Sequence, residues 1–230
     1  MSDHFACIAL DVVDSRKMAA ATLEKLLRTL TEDLNSKYAN DMLMPFTIRN
    51  GDEVIGIFYR FAMGCKALEH IFEKTGGFSV YAGCGFGKMN TMHHIDVHTS
   101  NSLAIIYAME ARDQFLKNSK KKAAIWNKDF TNKVFFYAEN FPYQAINSQF
   151  YTLRSYKQKR SEKQRQIIAE MNKYPRKTYE EIGKMFNYKN PRASISNHLS
   201  AANYELVNEM EKSLMELLDM LQYFLEQVKS

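Results

Sequence analysis

The dipeptide Asn50-Gly51 stands between two strand-type runs, residues 42–49 and 53–58. Asn-Gly accepts the positive φ angles of a tight hairpin turn, so the two runs are expected to pair as antiparallel neighbours. What precedes the hairpin then limits the topology. Residues 5–13 (FACIALDVV) form a short apolar run with β-branched members, suited to a buried central strand and closed by Asp14-Ser15. Between that run and the hairpin, Leu23, Leu26, Leu27, Leu30, Leu34 and Tyr38 recur at spacings of mostly three and four. That is one buried stripe of a helix over residues 18–38, and the chain begins β-α-β-β.

A second amphipathic helix is expected over residues 61–74, ended by Gly76-Gly77, followed by a strand over residues 78–86. A third helix is expected over residues 100–116. After the basic cluster Lys120, Lys121 and Lys122, residues 133–138 (KVFFYA) are a further strand candidate. The order β-α-β-β-α-β with extra elements predicts an α/β (α+β) fold: a split-βαβ, ferredoxin-like sheet with helices on one face. Residues 140–160 are polar, rich in Tyr, Gln and Ser and weakly periodic, and are read as a linker. Everything beyond reads as helix.

Charge divides the chain in the same place. Residues 151–200 carry 12 Lys/Arg against 4 Asp/Glu, whereas residues 1–150 carry 17 against 16 and residues 201–230 carry 2 against 6. A local basic excess suits a phosphate-bearing partner, because polyanion affinity follows local neutralisation rather than whole-chain charge. Within the basic segment, residues 161–172 supply a helix with Ile167, Ile168 and Met171 inward, stopped by Pro175. Thr178 and Glu181 have the spacing of a capping box for a second helix that buries Ile182, Met185 and Phe186. Residues 187–190 make a turn, and Asn190-Pro191 opens a third helix with an N-cap side chain and a proline at the first helical position. Ile195 and Leu199 face the core from that helix. Lys189, Arg192, Ser194, Asn197 and His198 offer donors to phosphates, and Arg and Asn can also pair with base edges in a major groove. The pattern is a helix-turn-helix over residues 155–203, with duplex DNA as the expected partner. A plain three-helix interaction bundle is the other reading of the same spacing, and His198 alone reads as a surface histidine.

Residues 204–230 repeat Val207, Met210, Leu214, Leu217, Leu221, Phe224 and Val228 at alternating threes and fours, a short heptad seam. It is expected to pack on another helix and to support a homodimer, although spacing leaves open whether the partner helix lies in the same chain.

Asp11 interrupts an apolar strand, where an unpaired carboxylate is costly. Asp52-Glu53 follows Gly51 at the hairpin, and in a split-βαβ sheet the first strand lies beside the hairpin. Asp11 and Asp52 are therefore expected to converge into an oxygen-rich pair suited to Mg²⁺ and substrate phosphates, with Asp14 a weaker third ligand. The alternative is that Asp52 serves the turn and Asp11 caps a helix or pairs with Arg16. The alternating glycines of Ala82-Gly83-Cys84-Gly85-Phe86-Gly87 permit close backbone approach, by a ligand or by packing.

The blocks Leu10-Asp11-Val12-Val13-Asp14-Ser15-Arg16-Lys17, Asn50-Gly51-Asp52-Glu53-Val54-Ile55-Gly56, the glycine strand, Tyr107-Ala108-Met109-Glu110-Ala111-Arg112 and the helix-turn-helix together resemble the bacterial SatD family over nearly the whole chain. The first blocks are also similar, more remotely, to class III nucleotidyl cyclases and diguanylate cyclases. That resemblance implies a cyclase-like domain over residues 1–145 with Asp11 and Asp52 on metal, and Gly51, Glu53 and Gly85 around a nucleoside triphosphate. It also implies Arg112 as the catalytic arginine set against the phosphates. Ala108 stands where those enzymes carry an asparagine, and the loop has one glycine where a diguanylate cyclase has two. The resemblance thus implies a cytosolic bacterial regulator that binds nucleotide and Mg²⁺; the alternatives are active cyclisation or nucleotidyl transfer, or a regulator whose sheet binds no ligand.

The remaining composition is consistent with these expectations. At 46% hydrophobic and 25% charged residues the chain is unlike disordered, collagenous or disulfide-rich sequences. Cys7, Cys65 and Cys84 are odd in number and set in apolar sequence, so they are expected as free core residues. No apolar run is long enough for a bilayer, and residues 1–4 lack a signal peptide's character; a cytoplasmic protein is expected.

Overall fold

In the computed structural model the turn residues Asn50 and Gly51 take positive φ angles of 49° and 88°. The structure describes residues 3–75, 78–89, 102–118 and 123–227. Gly76-Gly77, residues 100–101, the lysines at 120–122 and Val228, all named above, lie outside the described residues. Contacts divide the chain into two units, Met1–Ser148 with Met215–Ser230, and Gln149–Leu214.

The first unit contains β1 (His4–Val12), α1 (Ala20–Lys37), β2 (Met42–Arg49), β3 (Glu53–Phe58), α2 (Phe61–Lys74), β4 (Val80–Lys88), α3 (Leu103–Glu110) and β5 (Lys133–Tyr137). The sheet order is β2-β3-β1-β4-β5. β1 is antiparallel to both β3 and β4, β2 is antiparallel to β3, and β5 adds to β4 in parallel. Two interleaved β-α-β units with β1 in the middle are the split-βαβ arrangement, extended by one strand. β1 is buried along its whole length, which its unbroken apolar run requires.

The sheet is covered on both faces, which corrects the expectation of helices on one. Residues of even number on β1 and β4 meet α2: a Cβ at Gly64 would lie 2.8 Å from Ala6, and the Phe61 and Phe86 rings are 4.5 Å apart. The odd-numbered Phe5, Cys7 and Ala9 pack with Ala104, Ile105 and Ala108 of α3 on the other face. The glycines make this possible. A Cβ at Gly83 would meet the Ala108 carbonyl oxygen at 2.0 Å, at Gly85 the Ala108 nitrogen at 2.2 Å, and at Gly87 the Ala104 nitrogen at 2.8 Å. A helix backbone therefore lies directly on a strand backbone, and α3 continues into a π-helical segment, Ala111–Asn118.

Residues 140–160 are not a linker. Most of them form α4 (Tyr143–Gln158), with Ile146, Phe150 and Leu153 buried on one side. Asn147 replaces an apolar residue on that side and fastens the helix to β5. It accepts from the Phe136 N–H (3.0 Å) and donates to the Phe136 carbonyl (2.9 Å). A polar anchor of this kind weakens the hydrophobic period by which a helix is recognised.

The second unit holds α5 (Glu162–Lys173), α6 (Tyr179–Met185) and α7 (Pro191–Ala201) around Ile167, Ile168, Ile182, Ile195 and Leu199. The final helix, α8 (Tyr204–Gln227), starts in this unit and ends in the first. Its buried residues Val207, Leu214, Leu218 and Gln222 follow a straight helical period rather than the heptad seam, so Leu217 and Leu221 are half-buried and Phe224 is exposed. Gln222 fixes the end of α8 within the first unit, accepting from the Phe61 N–H (2.9 Å) and donating to the carbonyls of His4 (2.9 Å) and Tyr59 (2.8 Å). None of the three cysteines is in a disulfide, and all three are buried.

The contact of α3 with β4 has a direct test. Gly85→Ala drives a methyl group into helix backbone that has no side chain to move aside, and is expected to destabilise the protein by about 3 kcal/mol or more in urea unfolding. A loss under roughly 0.5 kcal/mol, the scale of a surface change, would show that the helix is not pressed on the strand.

Candidate functional site

On the α3 face, strand register sets Asp11 of β1 directly opposite Glu53 of β3, and Glu53 opposite Arg49 of β2. Because side chains alternate along a strand, these three share the face on which Cys7 lies. Above them the π-helical segment contributes Arg112, Asp113 and Lys117. Its wider turn brings residues five apart into line, and π segments recur at functional sites.

The charged groups form one connected chain. Arg112 donates through Nε and Nη2 to Asp113 (2.8 and 2.7 Å), and Nη2 also donates to Glu53 (3.0 Å). Lys117 bridges Asp113 (3.2 Å) and Asp11. Arg112 is only 3% exposed. Burial pulls its pKa down, but Asp113 and Glu53 outweigh burial and hold it above the usual arginine value. Burial pushes the Cys7 thiol pKa up, with Arg112 and Arg49 opposing, which places both guanidinium charges within electrostatic reach of the same point on the sheet. Arg49 differs from Arg112: its Nε and Nη1 are shut off from solvent and find no acceptor among the described residues.

The remaining sequence-derived residues are placed as follows. Asp52 stands just before the strand and accepts from Ser15 Oγ (2.8 Å), so the carboxylate facing Asp11 across the strands is Glu53 rather than Asp52. The physical reason is loop length. The pair Arg49↔Glu53 closes a three-residue connection, and Asp52 is the extra residue left out of the ladder. Asp14, in the left-handed region at φ 58°, pairs with Lys17 (3.1 Å). Asp11 is paired with Lys117 rather than Arg16. Gly51 lies at the open tip of the hairpin with nothing near its Cβ position, and Gly85 lies under α3. Ala108 is the residue whose backbone meets Gly83 and Gly85. Asp113, Lys117 and Arg49 were not singled out by sequence. The first two depend on a π segment that the 3.6-residue pattern does not announce, and Arg49 reads as an ordinary strand end.

Among the described residues no group of three His, Cys, Asp or Glu side chains is placed to hold a metal ion. The cause is visible in the pairing: Asp11 and Asp113 share an ammonium, and Glu53 and Asp113 share a guanidinium. As it stands this donor set does not fit Mg²⁺, which needs carboxylate oxygens that are free to coordinate.

The second unit presents a different surface. Both of its first helices start with capping boxes, Ser161 with Gln164 and Thr178 with Glu181; the first was legible as Ser-x-x-Gln. Helix α6 closes with Asn187 at φ 56°, the Tyr188 N–H donating to the Gly183 carbonyl (3.2 Å) and the Asn187 N–H to Lys184 (3.0 Å). That pairing is a Schellman turn. Gly183 lets α7 cross closely, since a Cβ there would lie 2.6 Å from Pro191. Met185, expected inside, is exposed, and Gly183 takes the buried place. Asn190 is the N-cap residue of α7, but its side chain makes no capping bond. Lys189, Arg192 and Asn197 are exposed and Ser194 is half-buried. His198 is bound to the Tyr188 hydroxyl (2.9 Å) and its ring lies against that tyrosine, 5.6 Å between centroids.

Comparison with family models finds no match, and no curated sequence is similar enough to count as a relative.

The Arg112 junction yields a stability prediction. Arg112→Met strands Glu53, whose side chain is 19% exposed, and leaves Asp113, at 37%, with Lys117 alone. The cost falls mainly on the Glu53 pair and is expected to be about 3 kcal/mol in urea unfolding. Adding Glu53→Gln should recover part of it; a double variant no more stable than Arg112→Met would contradict this pairing.

Proposed function

We propose that this chain is a DNA-binding regulator: the helix-turn-helix unit grips duplex DNA, the sheet unit binds a nucleotide that biases that grip, and two copies act together in the bacterial cytosol. The observation that carries the reading is the exposed face of α7. Arg192 and Asn197 are exposed on α7 and Lys189 in the turn just before it, while Ile195 and Leu199 anchor the helix to the core. A rigid helix with free cationic and amide donors is suited to a major groove, phosphates setting the register and base edges the preference. The basic excess of residues 151–200 supports the same partner. His198, held by Tyr188, acts in this reading by bracing the helix. No helix among the described residues is long and apolar enough to cross a membrane.

Two further features support the other halves of the reading. Met220, Tyr223 and Phe224 face solvent together on α8, with Phe224 54% exposed, an apolar strip suited to a second copy. Arg49 gives the sheet a cationic group for a nucleotide's phosphates.

Fluorescence anisotropy with a mixed-sequence duplex tests the central claim. Affinity should fall linearly on a log–log plot against salt, with a slope of about −0.9 per phosphate neutralised. Arg192→Ala and Lys189→Ala should each weaken binding and flatten the slope by about one. If neither variant changes affinity or slope, the unit binds protein rather than DNA. In sedimentation, Phe224→Lys should shift a dimer toward monomer; an unchanged sedimentation coefficient removes α8 from the interface.

A further inference from the structure

The nucleotide reading brings with it a divalent cation, and the charged chain on the α3 face argues against one. A pair of carboxylates repels a triphosphate unless a cation lies between them. Here that cation is built into the chain: Lys117 lies between Asp11 and Asp113, and Arg112 lies between Asp113 and Glu53. The three carboxylates Asp11, Glu53 and Asp113 are equalled in number by the cations Arg49, Arg112 and Lys117, so this set carries no net negative charge to repel a phosphate.

Within that face Arg49 has a role left over. Arg112 is committed to its carboxylates through Nε and Nη2. The Arg49 Nε and Nη1, buried and with no acceptor among the described residues, carry hydrogen-bonding capacity that is costly to leave unmet. The Nε–H and Nη1–H lie on different edges of the guanidinium, so each offers its own donor to a separate oxygen of a polyphosphate. Arg49 lies at the end of the edge strand β2, whereas α3 and its π segment lie chiefly over β1, β4 and β5, so the approach to Arg49 is from the less covered end of the sheet.

We infer that this face binds a polyphosphate-bearing small molecule without a divalent metal, with Lys117 in the position a metal would take and Arg49 as the residue that receives the phosphate. This rests on the nucleotide reading for the identity of the ligand but not for the existence of the site.

Calorimetry on the full chain with inorganic tripolyphosphate in EDTA tests it. Wild type should bind. Arg49→Met should lose about 10- to 100-fold in affinity, the range for a hydrogen bond to a charged group, and Arg49→Lys should fall between. Arg192→Ala should leave this binding unchanged, which separates it from the basic surface of the second unit. Manganese binding followed by electron paramagnetic resonance should be undetectable in wild type and appear in Lys117→Met, with Lys117→Gln as the second variant if the first fails to fold. Binding that requires added Mg²⁺, tight manganese binding by wild type, or tripolyphosphate affinity indifferent to Arg49 would each overturn the inference. Equal affinity for tripolyphosphate, ATP and GTP would keep the site and end the nucleotide reading. ATP or GTP bound only with Mg²⁺ would do the reverse.

Discussion

Everything on the sheet's second face depends on how closely α3 approaches β4. Three glycines in alternate positions, Gly83, Gly85 and Gly87, remove the side chains that would otherwise keep the helix at a side-chain's distance, and small residues Ala104 and Ala108 answer them from the helix. The interaction is mostly backbone against backbone, so its register along the strand is fixed by shape rather than by a few adaptable side chains. One helical turn beyond Ala108 the register sets Arg112, whose backbone nitrogen would lie 2.6 Å from a Cβ at Gly83. The position of the buried guanidinium thus follows from the glycine strand, and the glycines have a packing role that accounts for them without a ligand.

Given that placement, the charges have little freedom. A guanidinium carried that deep must be matched, and the nearest partners are its own neighbour Asp113 and the hairpin's Glu53. Asp113 then leaves an acceptor for Lys117, and Lys117 reaches Asp11. The result is a ladder of alternating charge across three elements, in which Asp11, the costliest residue of an otherwise apolar strand, is satisfied by an ammonium. The feature that made Asp11 conspicuous in the sequence and the feature that neutralises it lie about a hundred positions apart, joined only through the packing of α3.

This explains which parts of the molecule could be read beforehand. Elements whose cause is local were legible: the β-α-β-β start from its periodicities, the positive φ angles of Asn50 and Gly51, the capping box at Thr178, the proline opening α7. Features caused by distant contacts were not. The sheet's second covered face and the π segment arise from how α3 seats on the sheet, and no window of sequence contains both sides of that contact. Helix α4 was hidden for a related reason, because Asn147 bonds to β5 from a position where a local pattern asks for an apolar residue. The same division runs through the candidate site: its residue types were visible, while Glu53 replaced Asp52 opposite Asp11 because one extra loop residue shifts the strand's alternation.

The ends of α8 bear on how a ligand at the sheet could influence the helix-turn-helix. The helix is continuous from Tyr204 to Gln227, and it belongs to both units. At its far end Gln222 holds the chain at His4, Tyr59 and Phe61, the start of β1 and the junction between β3 and α2. Asp219 adds an exposed pair with Arg60 (2.5 Å) at that same junction. β1 and β3 are the strands that carry Asp11 and Glu53 at their other ends. A ligand that changes how those strands are held therefore acts on elements to which α8 is hydrogen-bonded. Coupling of this kind requires the ligand to favour one arrangement of the strands over another, and the charged ladder provides the groups whose pairing a phosphate can change.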